Sequence, residues 1–252
     1  EVVSLPGFAE TRLARPAELK SHAQFTLIGQ SVPRRDIPGK SNGTAIYAID
    51  VRVPDMVYAT VLRSPVEGEK LLALDDAPAR ETRDVMEVLA LPDGVAVIAK
   101  TLHAAFAGRD ALEVTWSKTS PFRAFSSAST LAAYERAAKS EAPGEAWRTE
   151  GDVTTTLRAA DRVVEGLYRS DYAYHAQLEP MAAVARVDAD GKGAEIWAGT
   201  QTQSWTTHTA TEVLGTTKDR IRLNMMTMGG GFGRRTELMQ NYVRDALLCS
   251  KH

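Results

Sequence analysis

The chain has 252 residues, 44% of them hydrophobic and 25% charged, with a formal net charge of −2. That is an ordinary globular composition, enough for one large domain or two small ones, and it creates no global field favouring nucleic acid or an anionic membrane. The single cysteine, Cys249, excludes an intrachain disulfide framework, a cysteine-rich zinc site and an iron–sulfur cluster held by this chain alone. No apolar run is long enough to span a bilayer, and no signal peptide is read at the start, which is not a Met.

Residues 1–24 are mixed and turn-rich and read as an opening segment. Residues 44–51 read as a strand and 56–62 as a second, with Pro54-Asp55 between them predicting a hairpin. Residues 77–83 suit a short helix, capped by Asp75 or Asp76 and carrying Pro78 in its first turn. Two β-rich runs, 85–91 and 94–99, are split by Pro92-Asp93-Gly94, a strong turn signal. Residues 101–112 are alanine-rich and helical, and 113–116 make a short closing strand. This β-β-α-β-β-α-β order suits a small α+β domain. Residues 118–151 read as a connection with a helical patch at 129–139. Beyond it, strands are expected at 153–156, 162–168, 182–187, 195–200 and 221–226, a helix at 203–214, and a hairpin turn at 188–192.

The most informative run is Met228-Gly229-Gly230-Gly231-Phe232-Gly233-Arg234-Arg235. Glycine backbone can take positive φ, and consecutive N–H groups can then face one concavity and hold an anion. Two arginines follow with forked donors. A Walker loop would need Gly-Lys-Ser/Thr, and the dinucleotide fingerprint would need a third glycine where Thr236 and Glu237 stand. Alternating polarity before the run and helical spacing of Leu238, Tyr242, Val243, Leu247 and Leu248 after it predict strand, glycine turn, helix, with Arg234 and Arg235 near the helix start. The plain alternative is a flexible loop beside a solvated basic face.

The run resembles the pterin-cofactor loop of the molybdenum hydroxylases, the xanthine dehydrogenase and aldehyde oxidase relatives, and its Arg-Arg ending resembles their isoquinoline 1-oxidoreductase β-subunit branch. Tyr174-His175-Ala176-Gln177-Leu178-Glu179-Pro180 is similar to that branch's His-x-x-x-Glu-Pro segment, and Ile196-Trp197-Ala198-Gly199-Thr200-Gln201 to its tryptophan-to-glutamine strand. Leu214-Gly215 is similar to the Leu-Gly that precedes the loop. Upstream, Pro33-Arg34-Arg35-Asp36-Ile37-Pro38-Gly39-Lys40 and Gly43-Thr44-Ala45-Ile46-Tyr47 resemble the entrance to the family's hammerhead domain.

The resemblance implies an α+β chain: an aldehyde oxidase/xanthine dehydrogenase a/b hammerhead domain at 25–118, a connection at 119–150, and the first part of a molybdopterin-binding domain at 151–252. It implies an oxidoreductase that hydroxylates an N-heteroaromatic compound, or oxidises an aldehyde, with water as oxygen source. The cofactor implied is molybdopterin cytosine dinucleotide, and the partners are an iron–sulfur small subunit bearing 2Fe–2S clusters and the rest of the large subunit. It places Gln201, Gly229, Gly230, Gly231, Phe232, Gly233 and Arg234 at the cofactor, and Gln177 and Glu179 along the active-site lining. It also places the general-base glutamate outside this chain, which alone is expected to lack turnover.

Read without the resemblance, His175 and Glu179 are four apart and would share a helix face, as a metal pair or as a hydrogen-bonded core pair; no third ligand is spaced to complete a metal site. Gln201 is either a cofactor donor or a strand-end residue satisfying a loop. Arg235 reads as a structural ion pair or an exposed charge, and Met225, Met226, Met228 and Met239 as core packing rather than soft ligands. Two other functions fit the residues: a non-catalytic assembly or interface module, and a simple phosphate or nucleotide binder.

Overall fold

In the computed structural model, residues 19–140, 142, 144–236 and 240–252 are described. They fall in two compact units, one ending at Ala45 and the other running Ile46–His252. In the first, α1 (Ile37–Asn42) carries Pro38 in its opening turn and ends at Gly43, whose φ of 79° closes it. Lys40 and Arg34 bond the Asp36 carboxylate and hold its pKa down at about 2.

The second unit opens on a correction. Residues 44–51 are not a strand: Tyr47 makes one bridge to Thr227, and Ala48–Asp50 turns as a 3-10 helix. The Asp50 carboxylate takes the Tyr47 N–H at 3.0 Å, a local bond that competes with strand pairing. The expected hairpin is therefore absent. A three-stranded antiparallel sheet follows, in the order β1 (Tyr58–Arg63), β4 (Gly94–Ala99), β3 (Val85–Leu91). All six residues of β4 are buried, as its uninterrupted Gly-Val-Ala-Val-Ile-Ala run demands of a central strand. Across the sheet lies α3 (Leu102–Asp110), its N-cap Thr101 accepting the Ala104 N–H at 3.1 Å. The helix approaches so closely that a Cβ on Gly108 would stand 2.7 Å from Val85 and 2.9 Å from Val97.

A second, two-stranded sheet pairs β2 (Leu71–Asp75) with β5 (Glu113–Trp116), and α2 (Ala77–Arg80) sits between β2 and β3 in sequence. The element order β-β-α-β-β-α-β is thus found, but with β2 as the second strand and nothing at 44–51. Leu71-Leu72-Ala73-Leu74 lacks the two-residue alternation of a half-buried strand, so its pattern did not mark it.

Helix α4 (Ser127–Ala138) lies where the helical patch was expected. Residues 153–156 are another correction: Val153–Ala159 is helix α5, because Asp152 caps it, accepting both the Thr155 N–H at 3.0 Å and the Thr155 hydroxyl at 2.6 Å. The strand expected at 162–168 is also absent. The run is rich in β-favouring Val and Tyr, but it has no ladder partner among the described residues, and Val164 and Tyr168 stay exposed.

The last sheet has the order β6 (Ala183–Val187), β7 (Ala194–Ala198), β8 (Ile221–Met225). A hairpin turn joins β6 to β7 antiparallel, while β7 and β8 run parallel, connected through α6 (Gln203–Leu214). The core joins Ile196 and Ala198 of β7 to Ala210 and Leu214 of α6 and to Val243 and Leu247 of α7 (Asn241–Lys251). Burying each of the Ile, Leu and Val side chains is worth about 1.5–3 kcal/mol. Helix α7 also reaches the first sheet: buried Asp245 pairs with Arg63 of β1, and Arg244 with Asp93 in the β3–β4 turn at 2.6 Å. No helix among the described residues is long and apolar enough to cross a membrane.

Candidate functional site

Strands β7 and β8 are parallel neighbours, so the chain leaves both at the same edge of the sheet. Carboxyl ends of parallel strands are where open α/β sheets bind ligands. From β7 come Gly199, Thr200 and Gln201; from β8 come Met226 to Thr236, the first of these still in register through Met226 N–H to Ala198 O at 3.1 Å. A third segment, residues 176–179, lies against the second.

The glycine run bends tightly. Phe232 and Gly233 have φ of 52° and 91°, and the Arg234 N–H reaches Gly231 O at 2.9 Å, a turn with both central residues left-handed. A phenylalanine in that region is strained, a condition that clusters at functional sites. The residue is 68% exposed, although an apolar side chain of that size gains by burial. Within the run, the N–H groups of Gly229, Gly233 and Arg234 are paired, whereas those of Gly230, Gly231 and Phe232 make no hydrogen bond among the described residues. Three successive free amides at a glycine bend are an anion-binding arrangement.

The glycines serve two different ends. A Cβ on Gly229 would lie 2.4 Å from Glu179 Cβ, so Gly229 is needed for packing within the protein, whereas one on Gly231 would stand 2.5 Å from Gln201 Oε1 and push the end of that exposed side chain aside. Gly230 and Gly233 are needed for conformation, with φ of 111° and 91°, and a Cβ on Gly233 would meet nothing within 4 Å. Side chains added at Gly230 and Gly231 would meet Phe232 and Gln201 respectively.

Gln201 is exposed; its Oε1 accepts the Gly233 N–H at 2.9 Å, and its own N–H reaches Arg235 O at 3.0 Å. This assignment leaves the Gln201 amide NH2 as a donor. Gln177 is half-buried and donates to Gly231 O at 3.2 Å. Glu179 is buried: its carboxylate accepts from Gly229 N–H at 2.9 Å, from Arg235 Nη2 at 2.9 Å and from Ile49 N–H at 3.4 Å. His175 is exposed, and residues 171–182 form no helix, so the shared helix face expected for His175 and Glu179 does not exist. Proximity to Pro180 and the bend of the chain at 178–179 break the spacing.

Of the two readings of Arg235, the structural ion pair holds: it is fully buried against the Glu179 carboxylate, and it ties the bend down by further bonds to Gly199 O at 3.2 Å and Glu179 O at 3.0 Å. Its Nε has no partner among the described residues. Arg234 is half-buried, with Asn241 Oδ1 at 3.3 Å from its guanidinium. Neither arginine opens a helix, since α7 begins at Asn241; Leu238, expected in the helical pattern, and Met239 of the methionine group lie outside the described residues. Met225 is 44% exposed, not core.

Beneath the bend is a buried hydroxyl network that the sequence did not announce. Thr206 Oγ1 of α6 lies 2.9 Å from Thr200 Oγ1 and 3.0 Å from Gln240 Oε1, and Gln240 donates to Thr236 O at 2.8 Å. The Tyr242 hydroxyl donates to Gly199 O at 3.0 Å, and burial pushes its pKa above the ordinary value. Isolated threonines and a glutamine carry no spacing signal, so only the fold reveals them.

Residues 136–252 match the molybdopterin cofactor-binding domain family. The isoquinoline 1-oxidoreductase subunit beta of Brevundimonas diminuta is 35% identical over 226 residues, which are 87% of this chain and 29% of that protein. The chain belongs to the molybdenum hydroxylases. A second relative, named membrane-bound aldehyde dehydrogenase [pyrroloquinoline-quinone], of Gluconacetobacter polyoxogenes, is 32% identical over 92% of this chain and 31% of its own. The crystal structure of quinoline 2-oxidoreductase from Pseudomonas putida 86 shares the fold, with a TM-score of 0.63 at 19% identity over 89% of this chain and 33% of that one. This molybdenum hydroxylase chain therefore spans about a third of the length of these relatives. The residues present fit the family's cofactor. Molybdopterin bears a phosphate and a pterin ring rich in hydrogen-bonding atoms, and the bend offers free amides and little side-chain bulk.

Proposed function

We propose that this chain is the part of a molybdenum hydroxylase large subunit that holds the pterin cofactor, in an enzyme that hydroxylates an N-heteroaromatic compound or oxidises an aldehyde with water as oxygen source. The observation that carries the reading is the glycine bend at the carboxyl ends of two parallel strands, with the amides of Gly230, Gly231 and Phe232 making no hydrogen bond among the described residues, inside a stretch matching the molybdopterin-binding domain. When bound, the cofactor supplies the oxidising centre that removes two electrons as oxygen is added to carbon. The chain's own residues bind and orient it. The three amides donate to its acceptors, Gln201 adds its amide NH2, and Phe232 covers it from water. Arg234 stands beside the bend as a positive charge, and Gln177 fixes the Gly231 carbonyl.

Residues 25–118 are read as the a/b hammerhead domain, 119–150 as the connection and 151–252 as the opening part of the cofactor domain. The dinucleotide form of the cofactor is molybdopterin cytosine dinucleotide, and electrons leave through 2Fe–2S clusters on a partner subunit. The general-base glutamate is supplied from outside these 252 residues, so this piece alone has no turnover. The relatives' names include an isoquinoline oxidoreductase and an aldehyde dehydrogenase, which supports both substrate classes.

The test is metal, pterin and nucleotide analysis of the full-length large subunit purified with its partners. Molybdenum and CMP released in equal amounts, with 18O from labelled water entering an N-heterocyclic or aldehyde substrate, is the expected result. A folded assembly free of molybdenum and pterin overturns it in favour of an assembly module.

A further inference from the structure

Gly229 immediately precedes the three free amides, and both of its polar backbone atoms are held by one residue. Its N–H donates to Glu179 Oε2 at 2.9 Å, and its carbonyl accepts the Glu179 N–H at 3.1 Å. There is no slack between them, because even a methyl group on Gly229 would collide with Glu179 Cβ. The same carboxylate accepts from Ile49 N–H at 3.4 Å and from Arg235 at 2.9 Å. Arg235 is in turn fixed by Gly199 O, on the neighbouring strand exit. The exits of β7 and β8 and the turn at Ile49 are thus all referred to a single buried charge pair, whose side chains are 0% and 5% exposed.

We infer that Glu179 is a positioning residue: paired with Arg235, it sets the direction in which the amides of Gly230, Gly231 and Phe232 point, and so the fit of the bound pterin. This rests on the cofactor-binding reading above and changes the role of Glu179 from lining the pocket to aiming its donors. A purely space-filling role is a poor match. A buried ion pair contributes little net stability compared with apolar packing, but it fixes geometry strictly, since each charge needs its partner in place. Outer partners that orient a metal centre's immediate surroundings behave in this way.

Glu179→Asp and Glu179→Gln, made in the full-length large subunit within its complex, test the inference. Aspartate still neutralises Arg235 but is one methylene shorter and cannot hold Gly229 and Arg235 together. Glutamine keeps the length, loses the charge, and turns an NH2 toward one of the three donors. Molybdenum per folded protein should fall about tenfold in the Asp variant and at least as far in the Gln variant. The Mo(V) electron paramagnetic resonance signal of the remainder should shift. An Asp variant that folds with the parent's molybdenum content and an unchanged signal overturns the positioning role. So does failure of both variants to fold, which would make the pair a folding determinant only. Absence of molybdenum from the unmutated complex instead removes the cofactor-binding reading itself.

Discussion

The sheet of β1, β4 and β3 is held by aliphatic burial: Val95, Ala96, Val97 and Ala99 are fully buried, and α3 packs across them through alanines and a glycine. The glycine bend, about as well buried at its base, is held by charge and hydrogen bonds: Glu179, Arg235, Thr200, Thr206 and Gln240 are all buried. The difference is physical. Apolar contact is non-directional and tolerates small rearrangements, whereas a buried polar group is satisfied in one geometry and costs free energy in others. A region that must present free amides at fixed angles gains from the second kind of support.

The comparison is sharpened most by Arg235→Ala. It leaves the Glu179 carboxylate buried without its partner, and denaturant unfolding should show a loss of about 3–5 kcal/mol. Replacing both members together, Glu179→Gln with Arg235→Met, should recover most of that loss. No recovery would mean the polar base is not a closed pair. In the apolar core, Ile196→Ala should cost about 2–4 kcal/mol through lost burial and a residual cavity. A value below that of an exposed alanine replacement would break the contrast. Next is Thr206→Val, which is similar in shape but removes the hydroxyl between Thr200 and Gln240. Its cost should be about 1–2 kcal/mol. Phe232→Gly relieves left-handed strain at an exposed ring, so thermal unfolding should show a gain of about 1 kcal/mol or less. That gain should come with weaker cofactor retention in the full complex.

The smallest effect at neutral pH concerns Cys249, whose thiol is pushed by burial, with the Asp245 charge adding, from 9.0 to about 11. The thiolate is the reactive form, so alkylation of the folded protein near pH 8 should be roughly a hundredfold slower than of the unfolded chain. Because the folded-state value lies above the unfolded one, this burial favours folding fully below pH 9 and loses its effect as pH rises toward 11. Equal alkylation rates in the two states would show the thiol to be open.

Much of the architecture was legible. Continuous apolar runs marked β3 and β4, Pro92-Asp93-Gly94 marked their turn, and Gln203 to Leu214 marked α6. Family motifs brought Gln177, Glu179, Gln201 and the glycines together before any fold was known, and the structure joins Gln177 to Gly231, Glu179 to Gly229 and Gln201 to Gly233 by hydrogen bonds. The failures have separate causes. At Asp50 and Asp152 a side chain captured a neighbouring backbone N–H and turned a β-like pattern into helix. At 162–168 a β pattern found no ladder partner among the described residues. The sequence offered Arg235 as an ion pair or an exposed charge, and only the fold supplied Glu179 as its buried partner.

Local pattern by itself determined where most of the ladder-forming segments of the two three-stranded sheets lie, because period and turn chemistry act between near neighbours. The resemblance in its motifs named a cofactor loop. Only the tertiary structure decided which arginine is buried, which glycines are needed for packing and which for conformation, and which amides remain free. Those outcomes depend on contacts between residues 49, 179, 201, 229 and 235, which are far apart along the chain and meet only when β7 and β8 align.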